Sequence, residues 1–250
     1  MRHVRSGAWV LLSVGVMALL AATGLRAGGA QGRSSVASVP DRLAEMRHHF
    51  VQVTLVYEAV IRGDLPAVKT PAAELSVMET PAGFPVTSAP YVDAIRALGR
   101  RASVATTIES AAMQTASMFV QCGDCHRAVG IFPTPSTRTY PDVGGLVGHM
   151  LDHQKAADEL LQGLVIPSDA LWRRGAERLR GSVLSAADLP QDPKLTPEIR
   201  KAEAAVHALA DRAVAADSAT ARSAVYVNLA TTCARCHGLH RQLWGPRTAN

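Results

Sequence analysis

All four cysteines of this 250-residue chain fall in two five-residue strings, Cys122-Gly123-Asp124-Cys125-His126 and Cys233-Ala234-Arg235-Cys236-His237. Whatever these strings hold has to be built into the fold, so they restrict it more than any other feature. The chain has nine histidines, and one directly behind both pairs would arise by accident about once in a thousand random placements. Two ordinary disulfides leave that histidine unexplained, as does a shared four-cysteine zinc site. A thioredoxin-like redox pair would sit among alternating strands and helices, and no such alternation surrounds either string. Cys-x-x-Cys-His is instead the attachment signature of c-type haem. On a helix the two thiols share a face, where each can form a thioether with a haem vinyl group while the adjacent imidazole reaches iron. The strings therefore predict two haem c groups, one on Cys122, Cys125 and His126 and one on Cys233, Cys236 and His237. Composition agrees: the chain is 48% hydrophobic but only 4% aromatic, so two macrocycles would supply bulk that Phe and Tyr do not.

The first thirty residues have the layout of a secretory signal peptide. Arg2, His3 and Arg5 precede an uncharged run over 6–25, and small residues follow at Ala27, Gly28, Gly29 and Ala30. The competing reading is an uncleaved anchor, since the run approaches membrane-spanning length. Cleavage is favoured by the Gly/Ala-rich end and by an apolar centre nearer about fifteen residues. Removing 1–30 takes away three arginines and no acid, so the net charge falls from +5 to +2. Nucleic acid is thus a poor partner electrostatically. No other segment reaches spanning length, so the mature form is expected not to span a membrane and to reside in an exported, oxidising compartment.

The rest of the chain reads as all-α. Leu43, Met46, Phe50, Val53, Val56, Tyr57, Val60 and Ile61 recur at the three-and-four spacing of one helical face, until Gly63 and Asp64 break it. Asp64 caps a second helix to about Glu79, despite Pro71; a third begins near Tyr91; a fourth starts at Thr106 or Thr107 and runs into Cys122. After a proline-rich stretch the pattern repeats, with Ser168 or Asp169 as a cap, a loop over 185–196, a helix from Pro197 and a last one into Cys233. Met46, His49 and Leu75 match Met150, His153 and Leu179 at an offset of 104, whereas the Cys-x-x-Cys-His strings match at 111. Seven additional residues therefore fall between Leu179 and Cys233, most economically in the 185–196 loop. The expected organisation is a signal peptide at 1–30, a haem-binding four-helix module at 31–130, a linker at 131–141 and a second such module at 142–250.

Four helices joined by short loops pack most simply up-down-up-down, so the first begins where the fourth ends. Chain order thus predicts a sixth iron ligand from each first helix: His49 and His153, with Met46 and Met150 as rivals. Methionine at helical spacing is otherwise ordinary core filler, and an open, five-coordinate iron is the remaining alternative. His149, four residues before His153, is expected to reach either the haem edge or iron. His48, His207 and His240 read as surface groups or propionate neighbours, and Arg47, Arg173 and Arg174 as solvated charges. Gly144, Gly145 and Gly148 follow no strand, which excludes a phosphate loop.

Two Cys-x-x-Cys-His strings, each closing a four-helix segment, make the chain resemble diheme c-type cytochromes built from cytochrome c prime-like bundles. Met46-Arg47-His48-His49-Phe50, Arg62-Gly63-Asp64-Leu65 and Gly163-Leu164-Val165-Ile166-Pro167-Ser168-Asp169 look like recurrent features of such exported bacterial proteins. The resemblance covers nearly the whole mature chain. It implies haem-bearing helical bundles serving electron transfer in the periplasm, with His126 and His237 as proximal ligands and redox proteins as partners. Cytochrome c prime itself has one haem with an open distal side, from which the duplicated His49 and His153 depart. An electron carrier, monomeric or homodimeric, transforms no substrate; the alternative is a diheme enzyme or gas sensor, peroxidase-like or binding NO or CO at one open iron.

Overall fold

In a computed structural model, residues 39–80, 83–136, 138–189 and 191–244 are described, without the side chains of 39–41 and 239–244. The expected signal peptide lies outside these residues. The described chain forms eight helices and no strand: α1 Val39–Ile61, α2 Leu65–Val77, α3 Ala89–Ser103, α4 Ile108–Val129, α5 Gly145–Val165, α6 Asp169–Gly181, α7 Leu195–Ala215 and α8 Ala219–Trp244. Among the described residues, no helix is long and apolar enough to cross a membrane.

Helix starts follow the local chemistry. Asp64, Thr107 and Ser168 each accept a hydrogen bond from the backbone N–H three residues on, satisfying a donor that the first turn leaves unpaired. Gly63 and Gly130 adopt left-handed φ values of 64° and 67° just past α1 and α4, a conformation that glycine enters without a Cβ penalty. Several boundaries differ from expectation. A 3-10 turn over Val86–Ser88 winds directly into α3, which therefore starts at Ala89 and not Tyr91. α6 stops at Gly181, three residues before the expected Leu184. Pro71 is accommodated, buried, inside α2. Neither α4 nor α8 ends at its cysteine string; both continue well past it.

Consecutive helices pack on one another from α1 to α4 and from α5 to α8. The halves meet mainly through α4 against α8, with further contacts of α4 on α5 and of α1 on α8; α1 also packs on α4 within the first half. One apolar core therefore runs through both halves, with the rings of Tyr57, Phe119 and Tyr226 stacked edge-on or tilted, centroids 5.7–6.0 Å apart. Leu75 and Leu179, the pair matched at 104, are both fully buried. The loop before α7 has its own small cluster of Leu189, Leu195 and Ile199, which gives the additional residues of the second half something to bury.

Candidate functional site

The two cysteine strings lie within α4 and α8, whose starts are fixed by Thr107 (Oγ1 accepts from the Ser110 N–H, 3.1 Å) and Ser218 (Oγ accepts from the Ala221 N–H, 3.2 Å). All four thiols are free and partly buried. Burial pushes Cys122 and Cys233 up to about 12 and shifts Cys125 and Cys236 in the same direction. A redox-active pair needs an accessible thiolate and so the opposite shift. An apolar shell of this kind suits sulfur carried as thiol or thioether.

The histidine behind each pair is oriented by a backbone carbonyl. Nδ1 of His126 lies 2.7 Å from the Val165 carbonyl oxygen, and Nδ1 of His237 lies 2.8 Å from that of Ile61. A carbonyl only accepts, so Nδ1 carries the proton and the Nε2 lone pair is left for a metal, the outer-shell arrangement typical of ligating imidazoles. Burial lowers the pKa of His126 further, only partly offset by that hydrogen bond, which favours the neutral, ligating ring. The exchange is reciprocal: the carbonyl for the first string comes from the end of α5, and that for the second from the end of α1. Ile61 and Val165 are themselves related by the offset of 104. Close approach permits this in the first half. A Cβ on Gly123 would stand 2.2 Å from the Leu164 carbonyl oxygen, so glycine alone fits there without displacement, whereas the corresponding Ala234 is accommodated and buried.

The strings occupy opposite ends of the α4–α8 pair. Arg235, inside the second string, reaches Glu109 in the first turn of α4 (3.2 Å), so the helices run antiparallel. Fifteen residues of α4 separate Glu109 from Asp124 of the first string, about 22 Å at 1.5 Å per residue.

A cleft beside the second string has Cys233, Cys236 and His237 on α8 facing Met150 and His153 on α5, with Glu203 of α7 on its wall. His153 and Met150, both expected near His237 from chain order, thus line one cavity with it. In the first half, His49 is buried on α1, which packs on α4, and Met46 is half-buried three residues earlier. Burial lowers the His49 pKa, with Glu45 opposing.

Three groups here were misjudged or missed from sequence. His149 is buried, with Nε2 2.9 Å from Glu203 Oε1 and Nδ1 3.2 Å from the Ser182 hydroxyl. His207, expected at the surface or beside a propionate, is 30% exposed and puts Nε2 3.2 Å from the same Oε1. His153 Nε2 is 3.7 Å from it, and burial depresses the His153 pKa to about 4. The signal available was the repeated spacing of four, His149 with His153 and Glu203 with His207, which puts each pair on one helical face. Arg174, read as solvated, pairs with Glu159 at 3.0 Å while remaining 59% exposed. His240 lies outside the described side chains.

Compared with known proteins, the chain matches no family profile, no curated protein and no solved structure.

Proposed function

We propose that the chain is an exported diheme c-type cytochrome that carries electrons in the periplasm, built as two four-helix modules with one covalent haem each. The observation that carries this reading is the twofold repeat of one donor arrangement: a partly buried, disulfide-free Cys-x-x-Cys pair followed by an imidazole whose Nδ1–H is held by a backbone carbonyl. Cys122, Cys125, Cys233 and Cys236 would anchor the macrocycles through sulfur, and Nε2 of His126 and His237 would hold the irons. Bound haem supplies one-electron chemistry, iron cycling between ferrous and ferric states.

This chain's own residues set the conditions for that cycling. The carbonyls of Ile61 and Val165 fix ring orientation and raise imidazole basicity, which favours the ferric state. Both carbonyls belong to helix C-termini, where the macrodipole is negative, adding to the same effect. His153 or Met150, which line the cleft with His237, would supply a further donor to the second iron, and His49, with Met46 three residues before it, would do so for the first. The two strings, about 22 Å apart along α4, would suit a carrier that accepts electrons at one site and donates them at the other to redox partner proteins.

The test is maturation of the full chain in a host competent for cytochrome c assembly. Two haems per chain that survive denaturation, on a polypeptide lacking residues 1–30, are expected; a colourless product with the mass of bare polypeptide refutes the reading. Carbon monoxide then separates carrier from enzyme or sensor, since ready binding by either ferrous haem counts against two six-coordinate irons.

A further inference from the structure

His153 and Glu203 on the wall of the cleft beside the second string, with His149 and His207 behind them, are more donors than a haem requires. α5 presents His149 and His153, α7 presents Glu203 and His207, and each pair is spaced by four residues on one face. Nε2 atoms of His149, His207 and His153 stand 2.9, 3.2 and 3.7 Å from a single oxygen, Oε1 of Glu203. The ligand atoms of His149, His153 and Glu203 all lie within 4.8 Å of one another, and the two imidazole rings are 4.2 Å apart. These three atoms are buried, at ion-pair distance yet without an aligned hydrogen bond. One carboxylate oxygen cannot satisfy three imidazoles, and buried polar atoms left without partners are costly.

We propose that His149, His153 and Glu203 bind one divalent transition-metal cation of the zinc type at the wall of the second cleft, with His207 fixing the Glu203 carboxylate. Two imidazoles and one carboxylate form the donor set of three-ligand zinc and non-haem ferrous sites, and are a poor set for magnesium or calcium, which take oxygen ligands. Metal–ligand bonds of about 2.0–2.2 Å place donors about 3.4 Å apart in a tetrahedron, a tightening that side-chain rotation supplies. The Ser182 hydroxyl on Nδ1 of His149 is the outer-shell partner that leaves Nε2 to the cation. The site belongs to the second half alone. In the first half Glu45 stands at the place of His149, and Val92 and Arg96 at those of Glu203 and His207. His153 then serves the cation, and Met150, which lines the same cleft, is the donor left to the second iron.

The experiment is equilibrium dialysis of the full mature chain against Zn2+ after chelator treatment, with any free thiols alkylated so that cysteines cannot compete. One Zn2+ per chain is expected. His149→Ala and Glu203→Gln should each weaken binding by at least about tenfold, and His207→Ala by about 10–100-fold, while His48→Ala, at an exposed position, leaves it unchanged. Absence of stoichiometric Zn2+ in the unmutated chain overturns the site without relying on any variant. So does binding that persists in both His149→Ala and Glu203→Gln. Haem content is read from the same samples by visible absorption, so a colourless chain that binds Zn2+ refutes the cytochrome reading alone, and a red chain that does not refutes the cation site alone.

Discussion

The two halves of the molecule share their helix order, their cysteine strings and the carbonyl that orients each motif histidine, yet they differ around the histidine that each first helix contributes. His49 has Glu45 and Arg96 in its electrostatic surroundings, whereas His153 is surrounded by His149, Glu203 and His207. Val68 in α2 corresponds at the offset of 104 to Trp172 in α6, and both are buried. The two halves thus share the cysteine strings and the carbonyl held to each motif histidine, and differ in the side chains around them. Two haems in such pockets would differ in potential, because second-shell charge and burial tune iron independently of its ligands.

The largest effect that would test this comparison is loss of one centre. Replacing both cysteines of the second string, Cys233→Ala with Cys236→Ala, should halve covalent haem per chain, measured by absorbance against protein mass. Loss of both haems would show that the halves mature as one unit, as their continuous core would then imply. Next comes the far side of the irons. His49→Ala should leave both haems attached and open the first iron to carbon monoxide, seen as a shift of the ferrous Soret band; an unchanged spectrum removes His49 from the ligand set.

Gly123→Ala puts the second string's residue into the first. Its Cβ would meet the Leu164 carbonyl oxygen at 2.2 Å, so thermal unfolding should report a loss of about 1–3 kcal/mol from overpacking. The reverse exchange, Ala234→Gly, meets no clash and should cost about 1 kcal/mol through helix propensity. Equal losses would mean that the two helix crossings are equally close. Trp172→Phe tests a contact that Val68 cannot make, the indole N–H donated to the Ala213 carbonyl at 2.8 Å. Removing it should lower stability by about 1–2 kcal/mol.

The smallest effect concerns the additional loop of the second half. The Asp192 carboxylate accepts N–H groups from Leu195 (2.9 Å) and Lys194 (2.8 Å), which hold it below its ordinary 3.8. A carboxyl depressed on folding contributes stability that is present above its unfolded value and lost as pH falls through the folded one. Asp192→Asn should therefore flatten the acid limb of the melting profile below about pH 4. An unaltered limb would assign that slope to other carboxylates.

Much of the fold was legible because its determinants are local. Asp64, Thr107 and Ser168 cap helices through atoms three residues away. The additional residues expected in the 185–196 loop are shared instead with α7, which is 21 residues long against 15 for α3. The continuation of α4 to Val129 and of α8 to Trp244 was not legible. The strings carry no stop signal, and the chemistry of haem attachment does not say where the helix that bears it ends.

What the chain encodes on its own is the pair of Cys-x-x-Cys-His strings, the helical periodicity and the duplication, since each depends on residues a few positions apart or on a fixed offset. Tertiary structure alone decided that the carbonyl of Ile61 serves His237 and that of Val165 serves His126, and that Glu203 meets three histidines. Those contacts join elements 39 to 176 residues apart in the first case and α5 with α7 in the second. A backbone carbonyl has no residue identity for a sequence to display, and a charge becomes a partner only when packing removes the water between it and its neighbour.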